Sequence, residues 1–205
     1  MGQLQHKERL LRKVKLNNDG GATVEWLDVF YNPEGGTYVN NEEARTSDGS
    51  VHDDFAAAFR PLVEHLAVIA EMVPEVKANH PFDGSLKGLE KFAVSSVTLR
   101  GGTMKDDGDR DPVSVFIFGR KRLKDGRVVN FGTPNIKLGS PQEPYKHTAM
   151  LDMHIQAVEQ EAWAYLDGKV APPAQKAMDF EGGGDVDDAE EVGDDEGQKL
   201  LGEAK

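Results

Sequence analysis

Apolar and polar residues alternate along "RLLRKVKLN" (residues 9 to 17) and "ATVEWLDVFY" (22 to 31), with the turn-forming "NDGG" between them. A period of two with Gly/Asn/Asp punctuation predicts two half-buried strands joined as a hairpin. "GTYVNNEEA" (36 to 44), after the turn "NPEGG", predicts a third. The period then changes. Over residues 52 to 73 the apolar positions Phe55, Phe59, Leu62, Leu66, Ile69 and Val73 recur every three or four residues, the stripe of an amphipathic helix. Asp53 and Asp54 suit its first turn, and Pro61 predicts a kink or a non-helical start there.

The same order recurs downstream. "KFAVSSVTLRG" (91 to 101) predicts a strand, and "VSVFIFGRKRL" with "RVVNFGTPNIKL" predicts a hairpin turning at Asp125-Gly126. A two-residue type I′ turn, with positive φ at both residues, would pair Lys124 with Arg127. Residues 143 to 168 then carry Leu151, Ile155, Val158, Ala162 and either Tyr165 or Leu166 on one helical stripe, with Pro144 near the start and Gly168 at the end. The pattern predicts an α+β protein: antiparallel β-sheet with two long helices in the order βββα-βββα. A five-stranded OB-type barrel with an inserted helix is the alternative.

Composition changes this picture at one end. Residues 171 to 205 hold eleven acidic residues and three lysines, many glycines and one aromatic residue, too little apolar surface to offset the entropy of ordering them. We read residues 1 to 170 as one globular domain and 171 to 205 as a disordered acidic tail. The formal charge of −12 divides into −8 for the tail and −4 for the body. Overall acidity therefore does not exclude an anionic ligand for the body.

Six basic residues stand against Asp125 alone between residues 114 and 138: Arg120, Lys121, Arg122, Lys124, Arg127 and Lys137. The bland account is a solvated hairpin tip that blunts a sheet edge. The functional one is a finger that contacts phosphates. Lys13 and Lys15 make the first strand locally positive, and Arg100 closes the fourth. With Trp26, Tyr31 and Phe131 as candidate stacking residues, these cations predict a sheet surface that holds single strands. Phosphates need cations there, and unpaired bases need flat rings.

A β-rich body followed by "DFEGGGDVDDAEEVGDDEG" resembles the single-stranded DNA-binding proteins of bacteria and phages, although this chain ends in "QKLLGEAK" where those tails commonly end in an aromatic residue. More loosely, the doubled βββα order resembles the whirly or PUR type of nucleic-acid-binding fold. The resemblance implies a phage or mobile-element protein acting in DNA replication or recombination, with single-stranded DNA, or RNA, as ligand. It also implies replication or recombination proteins as partners of the tail, or a tail that competes for the basic surface. Exposed sheet edges make a homodimer an expectation as well.

Other chemistries find less in the residues. The chain has no cysteine, which removes disulfides, thiolate metal sites and thiol nucleophiles. His147 and His154 lie seven apart rather than in H-E-x-x-H spacing, no calcium loop follows D-x-D-x-D-G, and no glycine pair leads into GK[ST]. We expect no enzyme activity, cofactor or metal. A metal-dependent hydrolase would need His147 and His154 to converge with carboxylates. A virion structural component or an acidic DNA mimic is the main alternative role, favoured by the net charge. No apolar run reaches the length of a membrane span and no signal-peptide core is present, so the expected location is the cytoplasm.

Overall fold

The computed structural model describes residues 5–32, 36–45, 50–74, 76–77, 79–103 and 110–171; at 5–7, 31–32, 36–41 and 45 it describes the backbone alone. Of the acidic tail, 172–205 lie outside the described residues.

Three strands open the chain: β1 (Gln5–Leu16), β2 (Ala22–Asn32) and β3 (Gly36–Arg45). Two helices follow, α1 (Asp53–Ala58) and α2 (Arg60–Ile69), then β4 (Phe92–Arg100), β5 (Ser114–Arg122), β6 (Val128–Gly132), β7 (Ile136–Lys137) and α3 (Thr148–Leu166). Pro61 does more than kink one helix. The chain breaks at Phe59, and Pro61 enters the first turn of α2, where its missing N–H costs nothing. At the start of α1, the His52 ring Nδ1 accepts from the Asp54 N–H at 3.2 Å.

The strand expected over 127 to 138 is likewise split. Thr133 exchanges two bonds with Ile117, its N–H donating to the carbonyl at 2.9 Å and its Oγ1 accepting from the N–H at 3.0 Å. Pro134 follows with no N–H to give, so β6 ends and β7 resumes on β5 two residues later.

All strand pairs are antiparallel, in the order β3-β2-β1-β4-β5-β6 with β7 also on β5. The two meanders join through β1 and β4, at Lys13↔Thr98, Val14↔Val97 and Lys15↔Ser96. This is an α+β fold, and the sheet is open: among the described strands β3 pairs with β2 alone and β6 with β5 alone, so no barrel closes.

The helices pack on one face. Val14, Val24, Val94, Val97, Val115 and Ile117 from the strands form one core with Phe55, Phe59, Leu62, Leu66, Leu151, Ile155 and Val158. Gly119 shows how tight the contact is, since a Cβ there would stand 2.4 Å from Leu66 Cδ2 and 2.5 Å from the Ala93 carbonyl oxygen. No described helix is long and apolar enough to cross a membrane.

Candidate nucleic-acid interface

Side chains alternate across a strand, so burial of Val115, Ile117 and Gly119 against the helices sends Ser114, Phe116, Phe118, Arg120 and Arg122 to the opposite face. Register carries that face sideways. Phe118 lies opposite Ser96 on β4 and Gly132 on β6, Phe116 opposite Thr98, and Arg120 opposite Asn130. Beyond β4, Ser96 pairs with Lys15 and Thr98 with Lys13. Two bulges keep the phase aligned over this distance, one at Arg12 in β1 and one at Ser95 in β4, whose Oγ donates to the Phe118 carbonyl at 3.2 Å.

The result is a band of cations on the helix-free face: Lys13, Lys15, Arg100, Arg120, Arg122 and, paired with Ser114 at the end of the sheet, Lys137. In its middle sit Phe116 and Phe118, two positions apart on one strand and hence roughly 6.6 Å apart along it. Phe118 is 37% exposed. Phe116 lies over Gly132, where a Cβ would come within 2.5 Å of its ring. Lys15, Arg100, Arg120 and Arg122 are exposed, whereas Lys13 is half-buried and paired with Glu25 at 2.6 Å. Arg120 reaches back to the first turn, donating to Asn18 Oδ1 at 3.4 Å. Glu25 and Glu43 face each other across β2 and β3, so the same face turns acidic at its far side.

The tip of the hairpin differs from the two-residue turn. Gly126 alone takes positive φ (+86°), its N–H donates to the Leu123 carbonyl at 3.1 Å, and Leu123 N–H donates to the Arg127 carbonyl at 2.8 Å. This is a three-residue loop, Lys124-Asp125-Gly126, with glycine in the left-handed position, and Arg127 faces Leu123 rather than Lys124. Asp125 drives the choice: its carboxylate accepts from the Arg127 backbone N–H and side chain, which holds its pKa below the usual carboxylate range. Arg127 is thus already engaged at 2.7 Å, and Lys124 stands exposed in the loop.

The remaining candidates lie elsewhere. Lys121 is on the helix side, with its Nζ 4.7 Å from the centre of the Phe92 ring. Phe131 is on that side too, edge-on to Phe92 at 6.1 Å. Trp26 packs edge-on against Trp163 of α3 at 6.3 Å, and its indole N–H donates to Asp28. Both rings are half-buried against the core and are not on the helix-free face. Tyr31 has its backbone in β2, opposite Thr37, and its side chain lies outside the described residues. The aromatic pair that does share a face with the cations is Phe116 and Phe118. Alternation with buried Val115 and Ile117 was the sequence signal for it.

A second cluster was not expected. Four of the six histidines gather between α2, α3 and the segments around 80 and 145. His65 is fully buried, stacked on Phe82 at 3.9 Å, with Nδ1 2.6 Å from the Tyr145 hydroxyl and Nε2 3.0 Å from His154 Nδ1. Burial first, then His154, His147 and His80, lower its pKa to about 2, so it is neutral at pH 7. A neutral ring donates from one nitrogen and accepts at the other, which these two partners satisfy. Glu64, also buried, takes His80 Nε2 at 2.9 Å and the Leu86 N–H at 2.6 Å. His147 and His154 therefore both join this cluster, His147 against Phe82 and Tyr145 and His154 against His65, within a hydrogen-bonded core. Among the described residues no group of three or more His, Asp or Glu is arranged to hold a metal ion.

No protein-family model, curated protein or solved structure matches the chain, so the site's own geometry is what bears on function.

Proposed function

We propose that the chain binds single-stranded nucleic acid across the helix-free face of the sheet, as a DNA-binding protein of phage or mobile-element replication or recombination. One observation carries the reading: Phe116 and Phe118 sit on the same face as Lys15, Arg100, Arg120 and Arg122. Rings flanked by cations offer stacking to unpaired bases and charge to phosphates, and an open sheet face lets a strand run across them. Duplex DNA presents no free base faces to such a surface, so single strands are preferred. Residues 171–205, at net −8, supply a competitor for the cations or a handle for basic partner proteins.

The test is fluorescence anisotropy of a labelled single-stranded oligonucleotide at two salt concentrations, with unlabelled duplex as competitor. Binding that weakens with salt and resists duplex competition is expected. No binding at low salt, by the full chain and by a chain ending at residue 171, overturns the reading.

A further inference from the structure

Strand β6 leaves one side of its backbone open. Thr133 exchanges hydrogen bonds with Ile117, and Leu123 N–H bonds the Arg127 carbonyl, so alternation assigns the bonds toward β5 to residues 129 and 131. The N–H and C=O groups of Val128, Asn130 and Gly132 then point away from the sheet. No described strand pairs with them. Val128, Val129, Asn130 and Gly132 are all exposed, the two valines at 48% and 44%.

Sheet edges are commonly blunted by charge, proline or a bulge. The stretch Val128–Gly132, "VVNFG", has none of these, and Pro134 comes only after it. The opposite edge, β3, carries Glu42 and Glu43.

We propose that β6 is a self-pairing edge: two copies of the chain join β6 to β6 antiparallel about a two-fold axis at Asn130, giving one continuous sheet. The register follows from the groups left open. Asn130 would exchange both backbone bonds with Asn130 of the second copy, and Val128 would do so with Gly132 on either side, which uses every outward group of the strand. The side chains fit this register. Val129 of each copy faces Phe131 of the other on the helix side, where non-hydrogen-bonded pairs bring side chains closest. Val128 faces Gly132, whose missing side chain leaves room beside the Phe116 ring.

Charge selects the occupant. An uncharged strand meets its own copy without repulsion and offers nothing to an acidic or basic peptide, whereas self-pairing of β3 would set glutamates against one another. The axis is perpendicular to the sheet, so both helix-free faces look the same way. Backbone geometry carries this inference, and it is independent of what that face binds.

Because the chain has no cysteine, a single one reports the contact cleanly. In the Asn130→Cys variant the two Cα atoms would be about 5.5 Å apart, within the span a disulfide bridges. Mild oxidation should convert it to a covalent dimer. Gln160→Cys, on the exposed side of α3, should remain monomeric under the same conditions. In native mass measurements the unmodified full chain should show about twice the 22.5 kDa of one chain. Asn130→Pro, which removes an outward donor and none toward β5, should shift it to one chain's mass with its circular dichroism retained. A native mass of one chain at micromolar concentration, or disulfide formation no faster at 130 than at 160, overturns the proposal even if Asn130→Pro fails to fold.

Discussion

Ile117 and Phe118 are neighbours on β5 with opposite surroundings. Ile117 is wholly buried beneath the helices, while Phe118 keeps more than a third of its surface in water on the other side. The contrast extends across the sheet. One face is closed by α1, α2 and α3 and holds the apolar core with its histidine cluster. The other carries cations with the exposed Phe118 and the half-buried Phe116. A single alternating strand therefore supplies stability through its odd-numbered residues and presents its even-numbered ones to the proposed ligand, and substitutions on the two sides should separate cleanly.

The largest effect is expected on the closed side. Ile117→Ala should cost about 2–5 kcal/mol of stability through lost burial and a residual cavity, read as a lower denaturant midpoint in urea. Nucleic-acid affinity of the folded fraction should stay unchanged; a variant that loses affinity with little loss of stability would break the division between faces.

The histidines give the closed face a pH signature. His65 has a folded pKa of about 2 against about 6.5 unfolded, so below the latter the unfolded chain binds more protons. Stability should rise with pH from about 2 to about 6.5, by up to about 1.4 kcal/mol per unit for this one group. His154, also lowered by burial, acts in the same direction. Urea midpoints at pH 7 and pH 5 measure the slope, and His65→Phe should flatten it.

On the open side, Phe118→Ala should lower single-strand affinity by about 1–3 kcal/mol, the range for a lost stacking platform. It should move the unfolding midpoint much less than Ile117→Ala does. Equal loss from Trp26→Ala, with the fold intact, would place the contact on the wrong face. The smallest effects belong to single cations: Arg120→Ala or Arg122→Ala should each flatten the salt dependence of binding by about 0.7 in log–log slope, while Lys121→Ala should leave it unchanged.

How legible these faces were depended on range. Elements follow from local period, and Pro61 announces one interruption, whereas Pro134 breaks a strand that alternation alone carries through. The tip eluded the Asp-Gly signal because the Asp125 carboxylate caps Arg127 and favours a three-residue loop. Period two says which residues share a face but not which face the helices will cover, so it cannot tell that Trp26 and Phe131 lie on the closed side. Trp163, some 140 positions along the chain from Trp26, decides that. The same distance hid the histidine cluster: His65, Tyr145 and His154 meet only when α2 and α3 pack side by side. The phase of the basic band also rests on bulges at Arg12 and Ser95, which no residue at those positions announces.

The pairing of Trp26 with Trp163 has a spectroscopic consequence. Both tryptophans of the chain lie half-buried on the helix side, so intrinsic emission should report whether α3 is docked and respond little to a base stacked on the far face. Unfolding can be followed by tryptophan emission without interference from ligand. Binding needs an indole of its own, and Phe118→Trp would install one where quenching by a stacked base could be seen directly.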